Sequence, residues 1–242
     1  LNFKFNNYLF IYVFISSALI IVVSGERTAL ALFIISIFVM LLTCKKIRKL
    51  IFYSFVIILI SITTLIVSSE KTKKRMFSQT INQLGLTSKN DRLVLFSKTY
   101  ESHYALALKM FKQKPIIGYG PKTFRKFCSE PENYINDVAC STHPHNILFQ
   151  LLAETGLVGF SFYLTIFFYL LFKLINIGIS SFFIKNQLLA GKEYLTLVYI
   201  FYFINLFPLA PSGNFFNNWL SIVYYFPLGY MFFLQNYNLK NT

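Results

Sequence analysis

The sequence predicts an all-α, polytopic membrane bundle with about six transmembrane helices and one large external helical loop. Three observations point there. Of 242 residues, 55% are hydrophobic and only 13% are charged, whereas soluble domains carry charge on roughly a quarter of their residues. Apolar stretches at 8–23, 28–43, 50–67, 156–175, 194–210 and 218–234 are long enough, or nearly so, to cross a hydrocarbon core, which takes about 17–25 residues of helix. None shows the alternation of a barrel strand, so helices, which satisfy their own backbone groups, are the form left to them in lipid.

The first stretch is followed by further spans and is closed by no small-residue cleavage site, so it reads as a span rather than a signal peptide. Between the second and third spans, CKKIRK (44–49) concentrates Lys45, Lys46, Arg48 and Lys49. Basic residues in short loops stay inside, so this turn is expected in the cytoplasm. Both termini and the stretch around Lys185 and Lys192 then lie inside as well, and residues 68–145 form the large external loop. That loop is basic, and long loops cross regardless of charge. With a formal net charge of +14, a cationic external face suggests an anionic partner such as a phosphate. The chain opens on Leu1, and its only large loop lies in the middle, so we expect a single integral membrane domain over 1–242 that lacks an N-terminal part.

Within the loop, Asn90 and Asp91 read as a helix start, a cap followed by an acid in the first turn. Leu93, Phe96, Tyr100, Tyr104, Ala107 and Phe111 then recur at helical spacing, giving an amphipathic helix too polar to span. Pro115 and GYG (118–120) stop it, and PKTFRKFCSE begins another short helix. Cys128 and Cys140 share the loop. An oxidising compartment permits them to join, and two free thiols is an equal reading.

THPHNILFQLLAETGLVGF (142–160) places two histidines and an asparagine at the mouth of an apolar run. One straight helix from 146 to 175 would measure about 45 Å, against a hydrocarbon core of about 30 Å. A split is therefore expected: a short interfacial helix over 146–154, a bend at Thr155 and Gly156, and a span over 156–175. Glu154 would then sit at the water boundary.

His145 leads the candidate residues, because imidazole is the side chain best matched to proton transfer near neutral pH; the plain alternative is an interfacial histidine without a role. A metal site from His143 and His145 lacks a third ligand at suitable spacing. Arg27, in SGERTAL at the head of the second span, is either functional or an arginine snorkelling to the interface. Arg92, in NDRLVLF, opens the amphipathic helix or simply decorates its solvated face. Lys122 and Arg125 follow GYGPKTF, whose glycines could let amides approach an anion or form an ordinary turn. Glu130 and Glu132 read best as solvated loop.

Together these residues resemble the O-antigen ligase and polymerase superfamily of bacterial envelope glycosyltransferases. The ligases show a histidine and a small polar residue, nine arbitrary residues, then Gly-x-x-Gly. Here His145, Asn146, the run 147–155, and Gly156 to Gly159 match. The family's arginine at the head of a span resembles Arg27, its loop arginine Arg92, and its Pro-x-x-Gly-x-Gly turn PIIGYG. FPLAPSGNFFNNWLS (207–221) is similar to the last external turn. Members are usually longer, and the chain matches their C-terminal half.

The resemblance implies a GT-C-like fold in a bacterial inner membrane, with its site facing the periplasm. It implies a glycan donor carried on polyprenyl diphosphate, and a hydroxyl acceptor such as lipid A core. In that picture Arg27 and Arg92 hold the diphosphate bidentately, with Lys122 or Arg125 as weaker partners. His145 takes the hydroxyl proton, His143 stands second for that role, and Glu154 supports. Asn146 holds His145 or caps the short helix. No cofactor or metal is called for, membrane lipids are expected partners, and nucleic acid is not. A polysaccharide polymerase is the alternative within the superfamily. A transporter is the alternative outside it, though its polar groups should lie at mid-bilayer, whereas these crowd the external boundary.

Overall fold

Helices form the framework of the computed structural model, which describes residues 7–78, 81, 97–183 and 190–240. In order they are α1 (Asn7–Ser24), α2 (Arg27–Thr43), α3 (Arg48–Ser68), α4 (Glu70–Lys73), α5 (Lys98–Gln113), α6 (Phe124–Ser129), α7 (Ile147–Phe183), α8 (Ala190–Asn205) and α9 (Asn218–Lys240). A π-turn at Lys74–Ser78 and a 3-10 turn at Pro131–Asn133 accompany them. Among the described residues there is no strand. Among the described residues three helices, α1, α3 and α7, are long and apolar enough to cross a membrane, and α2 is a shorter apolar helix. The chain is a membrane protein of all-helical class.

Two compact units divide it. The first holds α1 to α4 and the end of α7 from Leu174; the second holds α5, α6, α7 as far as Lys173, α8 and α9. In the first unit, α1, α2 and α3 pack together through Ala18, Val22, Ile37, Met40, Ile51 and Ile58, all buried. The α2–α3 turn is closed by Arg48. Its guanidinium donates to the carbonyls of Leu41 at 2.8 Å and Leu42 at 3.3 Å, and to Ser181 Oγ at 2.9 Å. A cation on the orphan carbonyls at a helix C-terminus satisfies both their hydrogen bonds and the helix dipole. Arg48 therefore terminates α2 as well as marking a basic turn.

In the second unit, α5 lays Leu106, Ala107 and Met110 against Phe124 and Phe127 of α6 and Ala153 of α7. Tyr104 stacks on Phe149 with ring centroids 4.2 Å apart. Further along α7, Phe167 stacks on Phe203 of α8 at 5.3 Å, and Tyr163 donates to the Leu206 carbonyl at 2.7 Å. These contacts fix α8 and the turn after it to α7.

Several boundaries differ from expectation. The amphipathic helix starts at Ser97, in extended backbone, whose hydroxyl accepts from Tyr100 N. Asn90, Asp91, Arg92, Leu93 and Phe96 lie outside the described residues, as does Lys185. The buried face of α5 is His103, Tyr104, Leu106, Ala107 and Met110, with Phe111 only half-buried. The helix expected to end at Ile175 runs on to Phe183, because nothing in GISSFF breaks it. The helix expected to reach Ala210 stops at Asn205, since Pro208 and Pro211 disfavour helical backbone just before them.

Candidate functional site

Three segments far apart in sequence meet in the second unit: the turn 115–123, the stretch 141–156, and the turn 208–215. The split of α7 is their pivot. Gly156 has φ 62° and ψ −159°, a region that only glycine occupies without strain. The bend interrupts the α7 ladder and leaves carbonyls before it and amides after it without helical partners. The turn at 115–120 supplies the missing bonds. Tyr119 N donates to Ala153 O at 3.2 Å and Gly120 N to Glu154 O at 2.8 Å, while Leu157 N donates to Pro115 O at 2.8 Å and Val158 N to Ile116 O at 3.2 Å. The expected bend is thus present, and the Pro-x-x-Gly-x-Gly turn is what completes its hydrogen bonds.

This settles one open alternative and corrects one expectation. The amides of Tyr119 and Gly120 are occupied by α7 carbonyls, so the glycine turn does not offer them to an anion. Glu154 is not wetted at the boundary. It is fully buried, and its carboxylate accepts from Phe124 N at 3.0 Å and from Gln150 Nε2 at 2.9 Å. A buried acceptor with two donors is well satisfied, and it ties the start of α6 to α7.

Asn146 resolves an open alternative. Its Oδ1 accepts from Phe149 N at 3.2 Å, so it caps α7. Its amide donates to the carbonyls of Pro208 at 2.8 Å and Ala210 at 3.2 Å. It holds the helix start and the last turn together, not the His145 ring. Gln150, one turn on and fully buried, repeats the device by donating to Asn214 Oδ1 at 2.8 Å and accepting from Phe215 N at 2.9 Å.

His145 precedes this cap at φ 59°. Left-handed backbone is uncommon for a residue with a side chain and marks a position fixed by its surroundings. Its carbonyl accepts from Ser212 N at 2.9 Å, and its Nε2 lies 3.0 Å from Ser141 Oγ. Around it are the rings of His143 at 4.1 Å, His103 at 5.3 Å and Tyr100 at 5.8 Å between centroids. The chain's three histidines therefore form one cluster.

The cluster is electrostatically biased to the neutral state. Burial lowers the pKa of His145. His143 is lowered by burial and then by His145, against a bond to the Ser212 backbone. His103 is lowered by burial and by His145, against a backbone bond at Val138.

The two rings of the HPH motif differ in what they can do. His143 Nε2 lies 3.2 Å from the Ser212 carbonyl, which can only accept, so that nitrogen carries the proton. Its Nδ1, 2.8 Å from Thr142 Oγ1, then accepts, and both nitrogens are engaged. His145 faces a serine hydroxyl, which can donate or accept. Of the two, His145 is the better placed to gain a proton.

Cys128 and Cys140 form a disulfide, which closes the loop immediately before Ser141. Lys122, at φ 62°, and Arg125, in the first turn of α6, are exposed on the same unit. Arg27 opens α2 in the first unit and is half-buried. Among the described residues no group of His, Cys, Asp or Glu is arranged to hold a metal. His103, Ser141, Gln150 and Ser212 were not singled out from sequence. His103 had a signal, since Tyr100, His103 and Tyr104 share one helix face at i, i+3 and i+4. Gln150 had one too, lying one turn before Glu154.

A family model described as O-antigen ligase matches residues 12–164. That range takes in Arg27, Arg92, the glycine turn and the whole His145-to-Gly159 motif, and stops short of the turn at 208–215. No curated protein and no solved structure matches the chain. Since the model covers well over half of the sequence, the chain belongs to the O-antigen ligase family.

Proposed function

We propose that the protein transfers a glycan from a polyprenyl diphosphate to a hydroxyl acceptor at the periplasmic face of the inner membrane, as an O-antigen ligase-type glycosyltransferase. The observation that carries this reading is the setting of His145: left-handed backbone, a ring kept neutral by burial, and a free choice of proton at the Ser141 contact. A neutral imidazole held in place is what a general base needs.

In the reaction, the acceptor oxygen forms a bond to the anomeric carbon as the bond from that carbon to the diphosphate oxygen breaks. His145 accepts the hydroxyl proton, and a single displacement inverts the anomeric centre. Charge grows on the departing lipid diphosphate. Arg27, and by family resemblance Arg92, carry it through bidentate guanidinium contacts. Lys122 and Arg125 are further cations for the same group. With charge handled in this way, the reading calls for no metal or cofactor. His143 and Asn146 hold the His145 segment against the last turn, and Glu154 supports it from below. The membrane frame is six spans in a GT-C-like arrangement within one integral domain over 1–242, both termini cytoplasmic and residues 68–145 external.

The test separates binding from turnover in the intact protein. His145→Ala should reduce single-turnover transfer about 10²–10⁴-fold with donor binding nearly unchanged, and His143→Ala should cost less. Arg27→Lys, which keeps charge but loses the planar fork, should weaken donor binding. Equal losses for the two histidines would remove His145 from the role of base, and unchanged donor binding in Arg27→Lys would make that arginine an interfacial anchor. Glycan appearing on lipid A core, rather than a longer lipid-linked polymer, distinguishes ligase from polymerase.

A further inference from the structure

Most of the turn that completes the α7 bend is accounted for by its backbone bonds, but its tip is not. Ile116 and Ile117 are 66% and 73% exposed, at the apex of a segment otherwise devoted to hydrogen bonding. They do not stand alone. The carbonyls of Pro115 and Ile116 accept from Leu157 and Val158, so the turn is held at the level where the membrane-crossing part of α7 begins. Leu157, Val158 and Phe162 there are 49%, 62% and 71% exposed, which makes one apolar face shared between the turn and the helix.

We propose that Ile116 and Ile117 are seated among the lipid acyl chains at the outer boundary of the bilayer, anchoring the histidine-bearing segments to the membrane surface. Lipid is the occupant because the patch continues the exposed apolar face of a helix that is itself long and apolar enough to cross. The depth is set by Lys173. With the hydrocarbon beginning near Leu157, Lys173 lies about 24 Å along the helix, within about 6 Å of the far boundary of a core of about 30 Å, its ammonium over the Tyr169 ring at 5.5 Å. Sliding the helix outward to lift the isoleucines clear would bring Lys173 toward mid-bilayer, where a charge is costly. Lys112, exposed on the approach to the turn, is placed to meet lipid phosphates, while the Lys114 ammonium lies over the Tyr119 ring at 4.5 Å.

This placement concerns the membrane alone and stands apart from the transfer reaction. It is tested in the intact protein with buried Cys44 replaced by Ser and the native disulfide retained. A nitroxide is attached at Ile117→Cys, and separately at Ile116→Cys, in bilayers of phosphatidylcholine and phosphatidylglycerol. Phe162→Cys serves as the lipid reference and Tyr134→Cys, 64% exposed in the loop, as the water reference. The expected result is a spectrum relaxed by oxygen several-fold more than by a water-soluble nickel chelate, as at Phe162. A response like that of Tyr134 would place the turn in water and overturn the proposal. Protection from both reagents would mean that protein, from this chain or a second copy, covers the patch, and would overturn it equally. Transfer activity does not enter either readout, so loss of one reading leaves the other intact.

Discussion

Gly118 and Gly156 are packed backbone to backbone. A Cβ on Gly156 would lie 2.7 Å from Gly118 N and 2.4 Å from Ile116 O, and a Cβ on Gly118 would lie 2.6 Å from Thr155 N. Both glycines have φ above +60°. Two sequence motifs separated by some forty residues are thus halves of one joint, in which the turn replaces the bonds that the bend removes.

Gly156→Ala and Gly118→Ala should each destabilise the protein strongly. A side chain at these dihedrals carries strain of about 1–3 kcal/mol, and the contacts are with backbone, which cannot turn aside. Thermal unfolding in detergent should show a large fall in Tm for each. Gly120→Ala is the comparison, because its Cβ meets nothing nearer than 3.8 Å and only the strain of its own φ of 101° remains.

Glu154→Gln tests the buried carboxylate. Its oxygens face two donors, Phe124 N and Gln150 Nε2, and an amide must turn its NH₂ toward one of them. The expected loss is about 1–3 kcal/mol for the unsatisfied group, read as a lower denaturation midpoint. A glutamine variant as stable as the parent would mean that Gln150 can turn away without consequence.

The disulfide stabilises the segment that carries Ser141 and the HPH motif. Cys128 and Cys140 are 12 residues apart, and the loop-entropy relation for such a loop gives roughly 3 kcal/mol. Cys140→Ser, or reductant, should lower Tm and also lower transfer, because the contact between Ser141 and His145 loses its fixed end. Non-reducing mass spectrometry of the same material establishes the bond.

The histidine cluster sets a pH response. Folding lowers all three pKa values below the ordinary 6.5. Well above 6.5 the rings are neutral in both folded and unfolded chains, and pH has little effect through them. As pH falls below 6.5, the unfolded chain takes up protons that the folded one resists, so stability declines from there downward. The acid limb of the transfer rate should lie below 6.5 for the same reason. Titrating the imidazole resonances of the folded protein checks both, and pKa values at or above 6.5 would contradict the burial argument.

The sequence by itself determined the membrane character, the helical class and the helix break at Gly156, and it singled out the His145 segment as the candidate site. These follow from local causes: apolar run length against bilayer thickness, the freedom of glycine, and the chemistry of imidazole. It also singled out PIIGYG, but as an ordinary turn or an anion cradle, because the partners of its amides lie on another helix. The tertiary structure alone decided that those amides belong to Ala153 and Glu154, that Glu154 is buried rather than wetted, and that Asn146 caps α7 while gripping the turn at 208–210. It alone brought His103, carried on a separate helix, against His145. Each of these is a contact between segments distant in sequence, and the packing and hydrogen-bond satisfaction of buried groups that select such contacts leave no periodic trace along the chain.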